Sequence, residues 1–198
     1  MSRALILFIK NPRLGKVKTR LAATMGAEKA LRVYEAMLAH TRKVALQIPV
    51  DRYLYYSDFI DHQDNWSRAH FHKKVQRGEN LGARMAHAFS EVLDEHERAI
   101  LIGSDIPQIN PSILKEAFER LSTHDFVIGP AQDGGYYLLG MRSFEPTVFL
   151  GIAWSAPTVF NKTIDIIQRL DKSFHCLPTL SDVDEEEDWD RLKKYLEQ

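Results

Sequence analysis

The sequence predicts a three-layer α/β/α fold, in which helices cover both faces of a mostly parallel, mixed sheet. Short apolar runs alternate with longer segments of helical periodicity, the pattern of parallel strands joined by crossover helices. The 198 residues, 44% of them hydrophobic and 27% charged, suffice for a globular domain with a substantial core. We therefore expect a single domain over residues 1–198.

Each predicted strand is a short apolar run, and each predicted helix has helical spacing of apolar residues or a recognisable start. The strands are predicted at residues 4–9, 53–56, 71–76, 99–103, 126–128 and 136–141. The helices are predicted at residues 28–48, 81–93, 110–121, 158–170 and 186–196, with a further helix opening near Lys18. Two strands follow each other closely within residues 126–141, so a mixed or antiparallel edge is expected there.

Composition and charge exclude several classes of function. The net charge of −1 argues against a nucleic-acid partner, because duplex binding requires a broad basic surface. One cysteine excludes an internal disulfide and a multi-cysteine metal site. We find no secretory signal and no apolar segment near the roughly 20 residues that span a bilayer. A cytoplasmic protein is therefore expected.

The segment KNPRLGKVKTR, residues 10–20, is a basic loop that follows the first predicted strand. It holds five cationic side chains and no acid, whereas the chain average gives one or two cations in eleven residues. Such a loop is suited to a di- or triphosphate, and Gly15 would let the backbone approach the ligand closely. The alternative is a solvated basic turn, because lysines usually face water.

Two aspartates are candidates for binding a divalent metal. Asp105 follows an apolar run in the motif GSDIP, and Asp184 follows Val183 just before a predicted helix. Magnesium in proteins typically takes one or two carboxylates together with substrate phosphates. The alternatives are a turn aspartate at 105 and a helix cap at 184. The remaining acids of the run 182–190 are expected to form a solvated helix start.

The motif GPAQDGGYYLLG, residues 129–140, is predicted to bind the second substrate. Asp133 precedes two glycines that permit close approach, so its carboxylate is a candidate general base or acceptor-binding group. An ordinary Asp-Gly turn is the alternative. A weaker motif, QRGENLGARM, contains Gln76 and Arg84, of which the arginine could reach a phosphate or a base.

Six motifs together resemble those of the GT-A-fold nucleotide-diphospho-sugar transferases, in particular a bacterial glycosyltransferase family linked to arsenosugar biosynthesis. The resemblance covers nearly the whole chain. The motifs, in order, are FIKNPRLGKVKTRLA, QRGENLGARM, LIGSDIP, GPAQDGGYYLLG, IAWSAPTVF and LSDVDEEED. The resemblance implies a Rossmann-like GT-A fold with a nucleotide-binding and metal-binding site.

The resemblance also implies roles for individual side chains. Those that would surround the nucleotide phosphates are Lys10, Lys16, Lys18 and Arg20. Asp105 corresponds to the metal-binding acid of GT-A enzymes. The segment around it supplies one acid and no Asp-x-Asp, so Asp184 is the expected partner.

The sequence therefore predicts a metal-dependent glycosyltransferase that moves a sugar from a nucleoside diphosphate sugar to a small-molecule acceptor, with Mg²⁺ or Mn²⁺ as cofactor. The same motifs are similar to those of small nucleotidyltransferases such as guanylyltransferases, which release pyrophosphate. A non-catalytic nucleotide-binding domain is a third alternative. Neither a nucleic-acid partner nor a membrane span is expected, and the sequence is compatible with a homodimer.

Overall fold

The computed structural model describes residues 2–196, and its seven strands form one mixed sheet. The strands are β1 Arg3–Ile9, β2 Asp51–Tyr56, β3 His72–Val75, β4 Arg98–Ile102, β5 Phe126–Pro130, β6 Tyr136–Met141 and β7 Phe174–Cys176. The helices are α1 Thr19–Met25, α2 Ala27–Leu46, α3 Leu81–Leu93, α4 Pro111–Arg120, α5 Val159–Arg169 and α6 Glu186–Leu192. Two short 3-10 helices lie at Pro146–Phe149 and Lys193–Tyr195.

The strand order is β3-β2-β1-β4-β6-β5-β7, and β6 alone runs opposite to the others. The predicted fold class is confirmed. The antiparallel pairing predicted within residues 126–141 is present, but its predicted position at an edge is wrong, because β6 pairs between β4 and β5 in the interior of the sheet. Its residues 137–141 are all buried, as in a central strand covered on both faces. The edge strand is the three-residue β7, which lies parallel to β5.

Successive residues along each strand point to opposite faces of the sheet, so their side chains pack into two separate cores. Leu5 and Leu7 of β1 pack with helices α1, α2, α4 and α6 on one face of the sheet. Ala4 and Ile6 pack with α3 and α5 on the other face. All four residues are fully buried, as expected for a strand that lies between two helical layers.

Most predicted boundaries agree with the structure, and the differences fall at chain ends and short elements. Asn110 caps α4 as predicted, because its Oδ1 accepts hydrogen bonds from the N–H groups of Ser112 and Ile113 at 3.0 and 3.1 Å. The last helix ends at Leu192 and continues as a 3-10 turn, not as the predicted α-helix to residue 196. No helix in residues 2–196 combines the length and the apolar character that crossing a bilayer requires.

The topology brings the loops after β1, β3, β4 and β5 to one edge of the sheet. These four strands all point in the same direction, and β6 begins at this edge. In open α/β sheets, ligands bind beyond the carboxyl ends of the strands. This edge is therefore where a site is expected.

Candidate active site

A cavity of about 770 Å³ lies at this edge. Its volume is within the range of about 300–1,000 Å³ that is usual for ligand pockets. Nine of the ten predicted site residues line it: Lys10, Lys16, Lys18, Arg20, Gln76, Arg84, Asp105, Asp133 and Asp184. Residues widely separated in sequence thus share one cavity, as the strand-end argument predicted.

The middle of the basic loop, residues 11–15, does not line the cavity. Gly15 does not line it, and serves a turn in which its φ is 70° and the N–H of Lys16 donates to the carbonyl of Arg13 at 3.0 Å. The close ligand approach expected at Gly15 stays a prediction, and the cavity lining does not include this residue. Arg13 pairs with Asp58 at 3.2 Å and lies over the ring of Phe59, outside the cavity.

Lys18 contacts both predicted metal-binding carboxylates. Its ammonium lies 3.0 Å from Asp105 Oδ1 and 3.8 Å from Asp184 Oδ1, and donates to the carbonyl of Val183 at 2.7 Å. The side chain is only 7% exposed, although the loop itself is a surface loop. The two predicted metal carboxylates therefore lie on either side of one cation of the chain.

Asp184 lines the cavity, and the N-cap of α6 is the next residue, Glu185, which forms a capping box with Asp188. The carboxylate of Asp188 accepts hydrogen bonds from the N–H groups of Asp184 and Glu185 at 3.2 and 3.1 Å. The side chain of Asp184 is left to accept a hydrogen bond from Arg20 at 3.0 Å. The capping alternative for Asp184 is therefore not what the structure contains.

Tyr34 links the basic loop to the Asp105 loop, and sequence reasoning missed it. Its hydroxyl accepts a hydrogen bond from the N–H of Lys10 at 2.8 Å and lies 3.2 Å from the hydroxyl of Ser104. Burial and then the charge of Asp105 raise the pKa of Tyr34, so the hydroxyl stays protonated. In the sequence, Tyr34 is only one more core-facing residue of α2, and nothing in the helical pattern marks its polar partners.

Asp182 is a second missed residue of the cavity lining. The pKa of Asp182, which also lines the cavity, is raised to about 6, first by burial and then by the charges of Asp184 and Asp133, which outweigh the opposing charge of Lys18. An acid with a pKa displaced towards neutrality inside a cavity is a candidate functional group. A sequence signal existed, since the D-V-D pattern places acids on either side of the fully buried Val183.

Asp182→Asn is expected to stabilise the metal-free protein above about pH 6 and to leave it unchanged near pH 4. Folding raises the pKa of Asp182. At pH values between the ordinary pKa of an aspartate and about 6, the folded chain therefore binds more protons than the unfolded chain. The free energy of unfolding of the parent therefore falls as the pH rises through this window, whereas a neutral amide does not titrate. Urea midpoints in EDTA measure the difference, and a pH-independent difference would contradict it.

Gln76 and Arg84 line the cavity, and each uses some of its hydrogen-bond donors on backbone carbonyls. The Gln76 amide nitrogen donates to the carbonyls of Ile9 at 3.2 Å and Tyr55 at 3.1 Å, at the ends of β1 and β2. Both partners are acceptors, so the amide orientation is set and its oxygen remains the free acceptor. Arg84 uses Nε to donate to the carbonyl of Gly78 at 3.1 Å, which leaves its other donors for a ligand.

A second wall of the cavity, formed by the β5–β6 hairpin and the segment before α5, combines Asp133 with aromatic and small residues. Asp133 Oδ1 accepts a hydrogen bond from the N–H of Gly135 at 2.8 Å. Asp133 therefore forms the turn considered as the alternative, and it also lines the cavity. A Cβ on Gly134 would lie 2.1 Å from the carbonyl oxygen of Pro157, and only glycine permits this contact. The rest of this wall includes Tyr136, Tyr137, Trp154, Ser155 and Ala156.

The carboxylates present fit a divalent cation that is shared with a phosphate ligand. Asp105 Oδ1 is fully buried and forms no hydrogen bond, because its 3.0 Å contact with Lys18 lacks hydrogen-bond geometry. Such an oxygen retains lone pairs for a cation. Within residues 2–196, no group of three or more His, Cys, Asp or Glu side chains could hold a metal alone. Asp105 and Asp184 suit Mg²⁺ or Mn²⁺ only together with ligand phosphates.

Similarity to a solved structure defines the class of the protein. A protein of Desulfovibrio desulfuricans described as a "putative nucleotide-diphospho-sugar transferase" is 34% identical over 93% of this chain and 84% of that chain, with a TM-score of 0.86. The chain thus has the fold of the nucleotide-diphospho-sugar transferase superfamily. It belongs to the family described as "Uncharacterized protein conserved in bacteria (DUF2064)", which matches residues 38–156. No protein with a curated description matches the sequence.

More distant structures share the fold alone. Rv0371c of Mycobacterium tuberculosis, solved in complex with manganese, is 16% identical over 98% of this chain and 99% of that chain, with a TM-score of 0.57. The inositol-1-phosphate CTP transferase of T. maritima is 11% identical over 99% of this chain and 95% of that chain, with a TM-score of 0.61.

Proposed function

We propose that the protein is a metal-dependent glycosyltransferase that moves a sugar from a nucleoside diphosphate sugar to a small-molecule acceptor. One observation carries this proposal: a single cavity of about 770 Å³ has one wall formed by the cationic loop after β1 with two metal-competent carboxylates, and a second wall formed by the β5–β6 hairpin and the segment before α5, with aromatic side chains and a further carboxylate. The first wall suits a diphosphate, and the second suits an acceptor. The similarity to the D. desulfuricans protein supports the same class of reaction.

The donor would bind against the loop after β1. The cations available to its phosphates are Lys10, Lys16, Lys18, Arg20 and Arg84. Fixed cations that face a leaving diphosphate stabilise the negative charge that grows on it during transfer. Asp105 and Asp184 would hold Mg²⁺ or Mn²⁺, which supplies further stabilisation of that charge when bound.

The acceptor would bind against the β5–β6 turn and the segment before α5. Asp133 would orient the attacking hydroxyl and accept its proton. Its carboxylate is held by the N–H of Gly135, and the carbonyl of Gly134 accepts a hydrogen bond from the N–H of Phe160 at 2.9 Å, which fixes the turn against α5. Ser155 adds a hydroxyl on the same wall, from a backbone with φ of 63°. The link to arsenosugar biosynthesis is a prediction from the resemblance of the motifs.

Nucleotidyl transfer is the second candidate. Five cationic side chains line the cavity, which is enough for a triphosphate, and a fold alone does not separate the two reactions. In that reaction, the same loop would stabilise departing pyrophosphate.

Product analysis separates the candidates. The protein is incubated with Mn²⁺ and a panel of nucleotide sugars with acceptors, and separately with nucleoside triphosphates and sugar 1-phosphates. We expect release of nucleoside diphosphate in the first set and no pyrophosphate in the second, as measured by mass spectrometry. Pyrophosphate release alone would establish the second candidate. Tight nucleotide binding without turnover in either set would favour a non-catalytic domain.

A further inference from the structure

The two carboxylates proposed to hold a metal already hold a cation of the chain itself. The ammonium of Lys18 lies 3.0 Å from Asp105 Oδ1 and 3.8 Å from Asp184 Oδ1. It is 7% exposed and also donates to the carbonyl of Val183 at 2.7 Å. Its charge offsets two acids that would otherwise repel each other.

A divalent ion and this ammonium cannot share these oxygens. Magnesium binds carboxylate oxygen at about 2.0–2.1 Å and demands a near-octahedral set of ligands around it. The ammonium of Lys18, 3.0 Å from the buried oxygen of Asp105, would lie next to an ion bound to that oxygen and would repel it. One of the two cations has to leave.

We propose that Lys18 is a displaceable counter-ion that occupies the metal position in the ligand-free protein and moves to the phosphates when the diphosphate binds. Metal binding then accompanies or follows nucleotide binding and does not precede it. The inference rests on the proposed function, because it takes the metal and the diphosphate as ligands of this cavity.

The basic loop is arranged for such a displacement. Lys18 precedes α1 with φ of 47° and ψ of 50°, a left-handed conformation that is strained for a residue with a side chain. Lys10, Lys16 and Arg20 line the same cavity, so a phosphate held by them lies within the reach of the flexible Lys18 side chain. Phosphate oxygens would then replace the carboxylates as partners of the ammonium.

Calorimetric titration of Mn²⁺ into the nucleotide-free protein tests the inference. We expect Lys18→Met to bind Mn²⁺ about 10-fold or more tightly than the parent, within the range of about 5–150-fold that is typical of coupled sites. Lys16→Met is the matched control, since it removes the same charge from the same cavity but has no ion pair in residues 2–196. We expect that control to change the affinity much less. Lys18→Gln repeats the test while retaining a donor for Val183.

Equal Mn²⁺ affinity of the parent and the Lys18 variants would overturn the inference and leave the metal site intact. Absence of Mn²⁺ binding in every variant, also with UDP or GDP present, would instead overturn the metal site and the proposed function with it. The parent provides a readout that needs no variant: UDP or GDP should tighten Mn²⁺ binding after subtraction of the metal-nucleotide blank. An unchanged Mn²⁺ affinity with a nucleotide that binds would also overturn the inference.

Discussion

Asp105→Asn is expected to abolish the Mn²⁺-dependent stabilisation of the protein by nucleotides while leaving the fold intact. The amide matches the carboxylate in shape but removes the charge of the buried Oδ1, which is the oxygen left without a hydrogen bond. Lys18 keeps its partners Asp184 and Val183, so the loop retains its anchor. A ligand at 100 times its dissociation constant stabilises a protein by about 2.7 kcal/mol, or roughly 5–10 °C for a domain of this size. That shift is expected to vanish in a thermal-shift assay.

Asp58→Asn is the matched control for this experiment. Asp58 is 48% exposed and Asp105 is 45% exposed, and each pairs with a cation of the same basic loop. Asp58 does not line the cavity, so its variant should retain the full Mn²⁺-dependent shift. If Asp105→Asn also retains that shift, Asp105 is structural and the metal site lies elsewhere.

Asp133→Asn is expected to lower the rate of transfer by about 10²–10⁴-fold, the usual effect of losing a general base. Asparagine can still accept the hydrogen bond from the N–H of Gly135, so the turn is preserved and only the charge is lost. Donor and metal affinities should change little, because Asp133 is held by the N–H of Gly135 and takes part in none of the ion pairs of the basic loop within residues 2–196. Asp165→Asn, an exposed carboxylate of α5 outside the cavity, is the control and should retain the parental rate.

Comparison of Asp133→Asn with Asp182→Asn also tests whether Asp182 accepts the proton. An unchanged rate in Asp133→Asn would remove Asp133 from the chemistry, and a loss of rate confined to Asp182→Asn would place the proton transfer at Asp182. A loss of donor affinity would instead assign Asp133 to the metal side. A retaining enzyme need not use a base here, so a small rate loss with normal binding would indicate retention of configuration.

The pattern of apolar residues along the chain is enough to predict the layers of the fold and the loops that meet at one edge of the sheet. Buried strands and amphipathic helices differ in period, and the carboxyl ends of parallel strands lie at one edge. These two regularities were enough to expect the Lys10 loop and Asp105 near each other. They also gave the start of α4 at Asn110, because a helix cap depends on a few adjacent residues.

Packing between distant segments sets which charged side chains form ion pairs and between which strands β6 lies. Strand β6 follows β5 in sequence, but its pairing with β4 depends on burial of both its faces, which local pattern does not encode. The contact of Lys18 with Asp105 and Asp184, and the displaced pKa of Asp182, depend on distances and burial between segments far apart in the chain. Local periodicity places a residue on a strand, a helix or a loop, whereas its ion partner is set by how distant loops pack at the sheet edge.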